Sequence, residues 1–95
     1  MKKNHSWSIE DCLFVINEFV HRYKNEDFKK IEQDIAKKIG TSSASVNLTR
    51  SNFVAILKDK KIGFGSNASA LQKEAINVFL ENSNLSKNKL IYILE

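Results

Sequence analysis

The chain has 95 residues, 42% of them hydrophobic and 27% charged, which suits one core, is too short for two, and is too apolar for a disordered tail. With three Gly, no Pro and a single Cys it lacks both the turn residues of a many-stranded fold and the partner for an internal disulfide. Its apolar runs of only a few residues exclude a membrane-spanning helix. Met1-Lys2-Lys3-Asn4 leads into a charged helix rather than a signal-peptide core, so the expected compartment is the cytoplasm. The net charge of +4 is unevenly placed. Between Ala36 and Ser66 stand Lys37, Lys38, Arg50, Lys58, Lys60 and Lys61 against Asp59 alone, a local balance of +5. That excess fits a phosphate-rich partner or an ordinary lysine surface, and charge alone leaves both open.

Trp7-Ser8-Ile9-Glu10-Asp11 opens the first helix. Ser8 is its cap, the two acids favour the positive end of the helix dipole, and Trp7 stands where a hydrophobic staple onto Cys12 would form. Ile9, Cys12, Leu13, Ile16, Phe19, Val20 and Tyr23 recur at helical spacing, so Cys12 reads as a small buried hydrophobe. Lys24-Asn25-Glu26-Asp27 offers the next cap. Phe28, Ile31, Ile35 and Ile39 carry a second helix to Gly40, with Lys37 and Lys38 in its last turn, where cations suit the dipole. Ser42 caps a third helix running through Val46, Thr49, Arg50, Phe53 and Leu57. Two helices joined by a short Gly turn, over about residues 27–58, have the spacing of a helix-turn-helix, and also of a plain helical hairpin.

Lys58-Asp59-Lys60-Lys61-Ile62-Gly63-Phe64-Gly65 reads as a loop and matches no nucleotide-binding Gly pattern. Ser66-Asn67-Ala68-Ser69 opens a fourth helix, with Gln72 completing a capping box from Ser69, and Leu71, Ala75, Val78 and Phe79 forming its stripe. After Asn82-Ser83-Asn84, Ser86 is a candidate cap for a last helix. Leu90-Ile91-Tyr92-Ile93-Leu94 is equally readable as a strand or as a segment that packs on a partner. The expected fold is all-α, a single domain over residues 1–95 with four or five helices.

Groups for catalysis or metal binding are sparse. His5, His21 and Cys12 fall at no ligand spacing, and the acid pairs Glu10-Asp11 and Glu26-Asp27 stand at helix starts where capping accounts for them. No enzyme activity, cofactor or metal is expected. The requirements for double-stranded DNA are met more fully. The third helix carries Ser43, Ser45, Asn47, Thr49, Arg50, Ser51 and Asn52 and no carboxylate. With Val46, Phe53 and Leu57 turned inward, the helical wheel puts Ala44, Asn47, Ser51 and Val54 on the far side, flanked by Ser43 and Arg50. Asn47 suits adenine, and Arg50 guanine or phosphate. Lys37, Lys38, Lys58, Lys60 and Lys61 suit phosphates. The rival expectation is a helical protein-interaction module that docks or self-associates through the third helix and Leu90 to Leu94.

From Trp7 to Asn82 the chain resembles a domain found at the N-terminus of many bacterial HNH-type restriction endonucleases. The resemblance rests on Trp7-Ser8-Ile9-Glu10-Asp11, on Ile35-Ala36-Lys37-Lys38-Ile39-Gly40 followed by Ser45-Val46 and Asn52-Phe53, and on Gly65-Ser66-Asn67-Ala68-Ser69. It implies a homeodomain-like or Myb-like arrangement of the first three helices, with an additional C-terminal helix, and a DNA-targeting role in restriction or regulation. The HNH nuclease part of that family would lie beyond Glu95, so nuclease activity is not implied for this chain. Arg50, where such domains tend to be apolar after the Val, and a shorter Leu57–Gly63 loop depart from the pattern.

Overall fold

The Ser8 hydroxyl accepts a hydrogen bond from the Asp11 N–H at 3.1 Å, and the Asp11 carboxylate accepts the Ser8 N–H at 3.2 Å. This reciprocal box, with Asp in the place more often taken by Glu, starts α1 (Ile9–Arg22). The computed structural model describes residues 7–58 and 66–95. Over these, α2 (Phe28–Ile39), α3 (Ser43–Leu57), α4 (Ser66–Glu81) and α5 (Lys87–Leu94) follow, and no strand occurs among the described residues. Among the described residues the fold is all-α with five helices.

The starts of α2, α3 and α5 are likewise each fixed by a side chain acting over three residues. Asp27 accepts from the Lys30 N–H at 3.0 Å, Ser42 from the Ser45 N–H at 3.1 Å, and Ser86 from the Lys89 N–H at 3.1 Å. Gly40 ends α2 in the left-handed conformation, with φ 81° and ψ 38°. The Gly40 and Thr41 N–H groups both donate to the Ala36 carbonyl at 2.9 Å. Only Gly40, Thr41 and Ser42 therefore separate α2 from α3.

Helix α4 begins at Ser66, within the Ser66–Ser69 segment expected to open it, and the expected Ser69–Gln72 box rests on a side chain outside the described ones. Leu90 to Leu94 form the body of α5 rather than a strand, because Ser86 caps a helix there whose Leu90, Ile93 and Leu94 fall on one face and are buried. Apolar residues at positions 90, 93 and 94 have helical spacing, which five residues alone are too few to distinguish from a strand.

Helix α1 lies against α4 and α2, α2 against α3, and α5 across α1 and α3. Cys12, Val15, Ile16 and Phe19 from α1 meet Ile31 and Ile35 of α2 and Val46 and Phe53 of α3 in a single core, closed below by Ala75, Ile76 and Phe79 of α4. Each large side chain so buried contributes about 1.5–3 kcal/mol. Phe19 and Phe28 meet edge to face, with centroids 5.2 Å apart. Trp7 lies half-buried against the same core. Two buried amide atoms, Asn52 Nδ2 on α3 and Gln72 Oε1 on α4, have no hydrogen-bond partner among the described residues.

Candidate nucleic-acid interface

Helix α3 is buried along Val46, Thr49, Asn52, Phe53 and Leu57. Its solvent side consists of Ser43, Ala44, Asn47, Leu48 and Ser51, all exposed and all uncharged. Val54, expected on this side, is half-buried against the core, and Leu48, not expected there, is 47% exposed. The capped N-terminus of α3 opens directly from the Gly40 turn. Lys37 and Lys38, both exposed, stand at the adjoining end of α2. Ser43, Asn47 and Ser51 thus share the exposed side of α3, and the two lysines stand in the last turn of the helix before it.

Arg50 does not join that face. Its side chain is only 13% exposed, with the guanidinium centred 4.6 Å over the Phe28 ring and 5.7 Å from that of Phe19. Nε donates to Glu32 Oε2 at 3.3 Å and Nη1 to the Leu94 carbonyl at 2.6 Å. The guanidinium therefore ties α3 to the middle of α2 and to the C-terminal end of α5, where a cation also suits the helix dipole. The expectation that Arg50 meets guanine or phosphate is at odds with this placement. Reaching DNA would strip Glu32, itself about 8% exposed, of its counter-charge.

Glu32 also accepts from Asn47 Nδ2 at 2.8 Å. A carboxylate has only acceptors to offer, so this contact fixes which end of the Asn47 amide faces the protein. The carbonyl oxygen and the second N–H of Asn47 remain for a partner. Arg50 and Glu32 thus form a neutral ion pair directly beneath an exposed amide. Neither Glu32 nor this support was among the expected site residues. A signal was present: Glu32 falls on the row Phe28, Ile35, Ile39 along α2, where a carboxylate requires a buried partner.

The remaining cations separate. Lys58 Nζ is paired with the Glu95 carboxylate, which ties the end of α3 to the chain's last residue. Lys37 and Lys38 enter no ion pair among the described residues. Lys60 and Lys61, expected on phosphates, lie outside the described residues, as do His5 and Gly63 and Gly65 of the expected loop. Among the described residues no group of three or more His, Cys, Asp or Glu side chains is placed to hold a metal ion, and no helix is long and apolar enough to cross a membrane. Cys12 is buried, and burial followed by the nearby Asp11 charge pushes its thiol up to about 11.

No family model, curated protein or solved structure matches the chain.

Proposed function

We propose that this chain is a non-catalytic module that binds double-stranded DNA by laying α3 in the major groove, in the manner of a helix-turn-helix, within a restriction, defence or regulatory system. The observation that carries the reading is the exposed, carboxylate-free face of Ser43, Asn47 and Ser51 behind a three-residue turn, with the Asn47 amide held by Glu32. An oriented Asn amide presents the acceptor and donor that adenine requires. Small hydroxyls beside it allow close approach, and Lys37 and Lys38 at the rim meet phosphates. Lys60 and Lys61 complete the grip in this reading. Arg50 supports Asn47 from below instead of touching DNA, and Lys58 contributes only if Glu95 releases it.

Duplex binding followed by fluorescence anisotropy over a salt series tests this. Affinity is expected to fall steeply with salt. Lys37→Ala/Lys38→Ala should weaken all sequences alike and reduce the log–log salt slope by roughly 2, about 0.9 per phosphate contact. Asn47→Ala and Ser51→Ala should cost more on a selected site than on random duplex. No binding at low salt, or affinity indifferent to these substitutions, would overturn the reading.

The exposure of Leu48 favours a second reading, a helical protein-interaction module using the same α3 face. The other surface considered for it, Leu90 to Leu94, has Leu90, Ile93 and Leu94 buried in the chain's own core. A partner or self-association abolished by Leu48→Asp, in a chain without duplex affinity, would establish this alternative.

A further inference from the structure

Away from α3, the end of α1 and the turn after it, with Leu85 and with Lys89 and Ile93 of α5, line an open cleft of about 330 Å³ that includes His21, Tyr23, Lys24 and Asn25 and contains no carboxylate. That volume is at the small end of the range for small-molecule sites. Two ammonium groups lie against the same ring there: Lys24 Nζ and Lys89 Nζ are each 5.9 Å from the Tyr23 centroid. Neither forms an ion pair with a described residue. The nearest acid in sequence, Glu26, is taken up by Arg22, which donates to both of its carboxylate oxygens at 2.7 and 2.5 Å. Beside the cleft, Tyr92 stands perpendicular to Tyr23 at 6.4 Å between centroids, with Lys89 Nζ 5.0 Å from its ring, and is 68% exposed.

Unopposed cations in a cleft attract an anion, and an exposed aromatic ring at its rim offers a flat surface to a second ring. We infer that this cleft is a second site, separate from α3, for a base-plus-phosphate unit, with the phosphate between Lys24 and Lys89 and the base stacked on Tyr92. Free nucleotides and single-stranded nucleic acid both carry that unit, and both combine stacking with cationic contacts. The site does not depend on whether α3 binds duplex.

Amide chemical shifts of the ¹⁵N-labelled full chain, recorded with a nucleoside monophosphate, with a short oligothymidylate and with inorganic phosphate, test the inference. Shifts at Tyr23, Lys24, Lys89 and Tyr92 are expected with one or both of the first two ligands, and which of them binds more tightly identifies the source. Tyr92→Ala should weaken binding about tenfold, as loss of one stacking platform does. Lys24→Ala/Lys89→Ala should reduce the salt slope for the oligonucleotide by roughly 1.4, about 0.7 per contact on a single strand. Asn47→Ala and Lys37→Ala/Lys38→Ala should leave this binding unchanged. Absence of shifts at these four residues, an equal response to inorganic phosphate, or binding unmoved in the Tyr92 and lysine variants overturns the assignment.

Discussion

Arg50 Nη1 donates to the Leu94 carbonyl oxygen at 2.6 Å, joining the middle of α3 to the last turn of α5. The same guanidinium covers Phe28 and neutralises Glu32, so one side chain serves three helices. Removing it leaves a nearly buried carboxylate unpaired and the carbonyl without this donor. Arg50→Ala is therefore expected to destabilise the chain by about 3 kcal/mol in urea unfolding at neutral pH. Arg50→Lys should recover little, because a point ammonium cannot reach Glu32, the Leu94 carbonyl and the Phe28 face together. Glu32→Met/Arg50→Met should recover most of the loss, since replacing both charges removes the stranded one. A loss in Arg50→Ala below about 0.5 kcal/mol, the range of ordinary surface changes, would show that the pair does not hold the helices.

The helices were readable because their causes are local. Ser8, Asp27, Ser42 and Ser86 each act on a backbone N–H three residues away, and Gly40 needs only its own φ. The inward course of Arg50 is set by partners 18 and 44 residues distant. Even so, Arg50 lies on the row Val46, Phe53, Leu57, at the same i, i+4, i+7, i+11 spacing that Glu32 holds with Phe28, Ile35 and Ile39. Two opposite charges, each interrupting the apolar row of adjacent helices, mark an internal pair. Of the cations in the local +5, Arg50 and Lys58 are neutralised by Glu32 and Glu95, partners that lie outside that stretch of sequence.

Gly40 is the only described glycine in the left-handed region, and a Cβ added to it would meet nothing within 4 Å. The cost of Gly40→Ala is thus backbone strain alone, about 1 kcal/mol, with a fall in Tm of roughly 4–8 °C for a domain of this size. Gly40→Asn should cost less, because Asn tolerates this conformation better. Equal losses for the two would mean that the turn relaxes rather than holds its dihedral angles.

Arg22 binds Glu18 at 3.0 Å and Asp34 at 2.5 Å in addition to Glu26, linking the end of α1 to α2. Its guanidinium holds the Glu26 and Asp34 carboxyls below their ordinary values of 4.5 and 3.8. For a group whose pKa is lower folded than unfolded, the contribution is complete above the unfolded value and is lost as pH falls through the folded one. Stability should therefore decline from about pH 5 downward through the region below 3.8. Arg22→Gln should make that decline shallower, and 1 M salt should narrow the difference between the two proteins, because the network is reached by solvent. Urea midpoints measured from pH 6 to pH 3 give the comparison; parallel curves would remove Arg22 as the cause.

Cys12 occupies the fourth position of α1, where a helix N-terminus would favour a thiolate. Burial outweighs this. The thiol titrates near 11 instead of 9, raised first by desolvation and then by the Asp11 charge. A pKa higher folded than unfolded gives a contribution that is complete below pH 9 and lost as pH rises from 9 through 11, on the order of 2–3 kcal/mol. The wild-type curve is compared with that of Cys12→Ala, whose stability should fall less between those limits. At pH 8 a thiol reagent should label the native chain far more slowly than the urea-unfolded chain, with labelling limited by opening of the α1–α4 contact or by global unfolding. Native labelling at the rate of the unfolded chain would place Cys12 in reach of solvent and remove the basis for the alkaline loss.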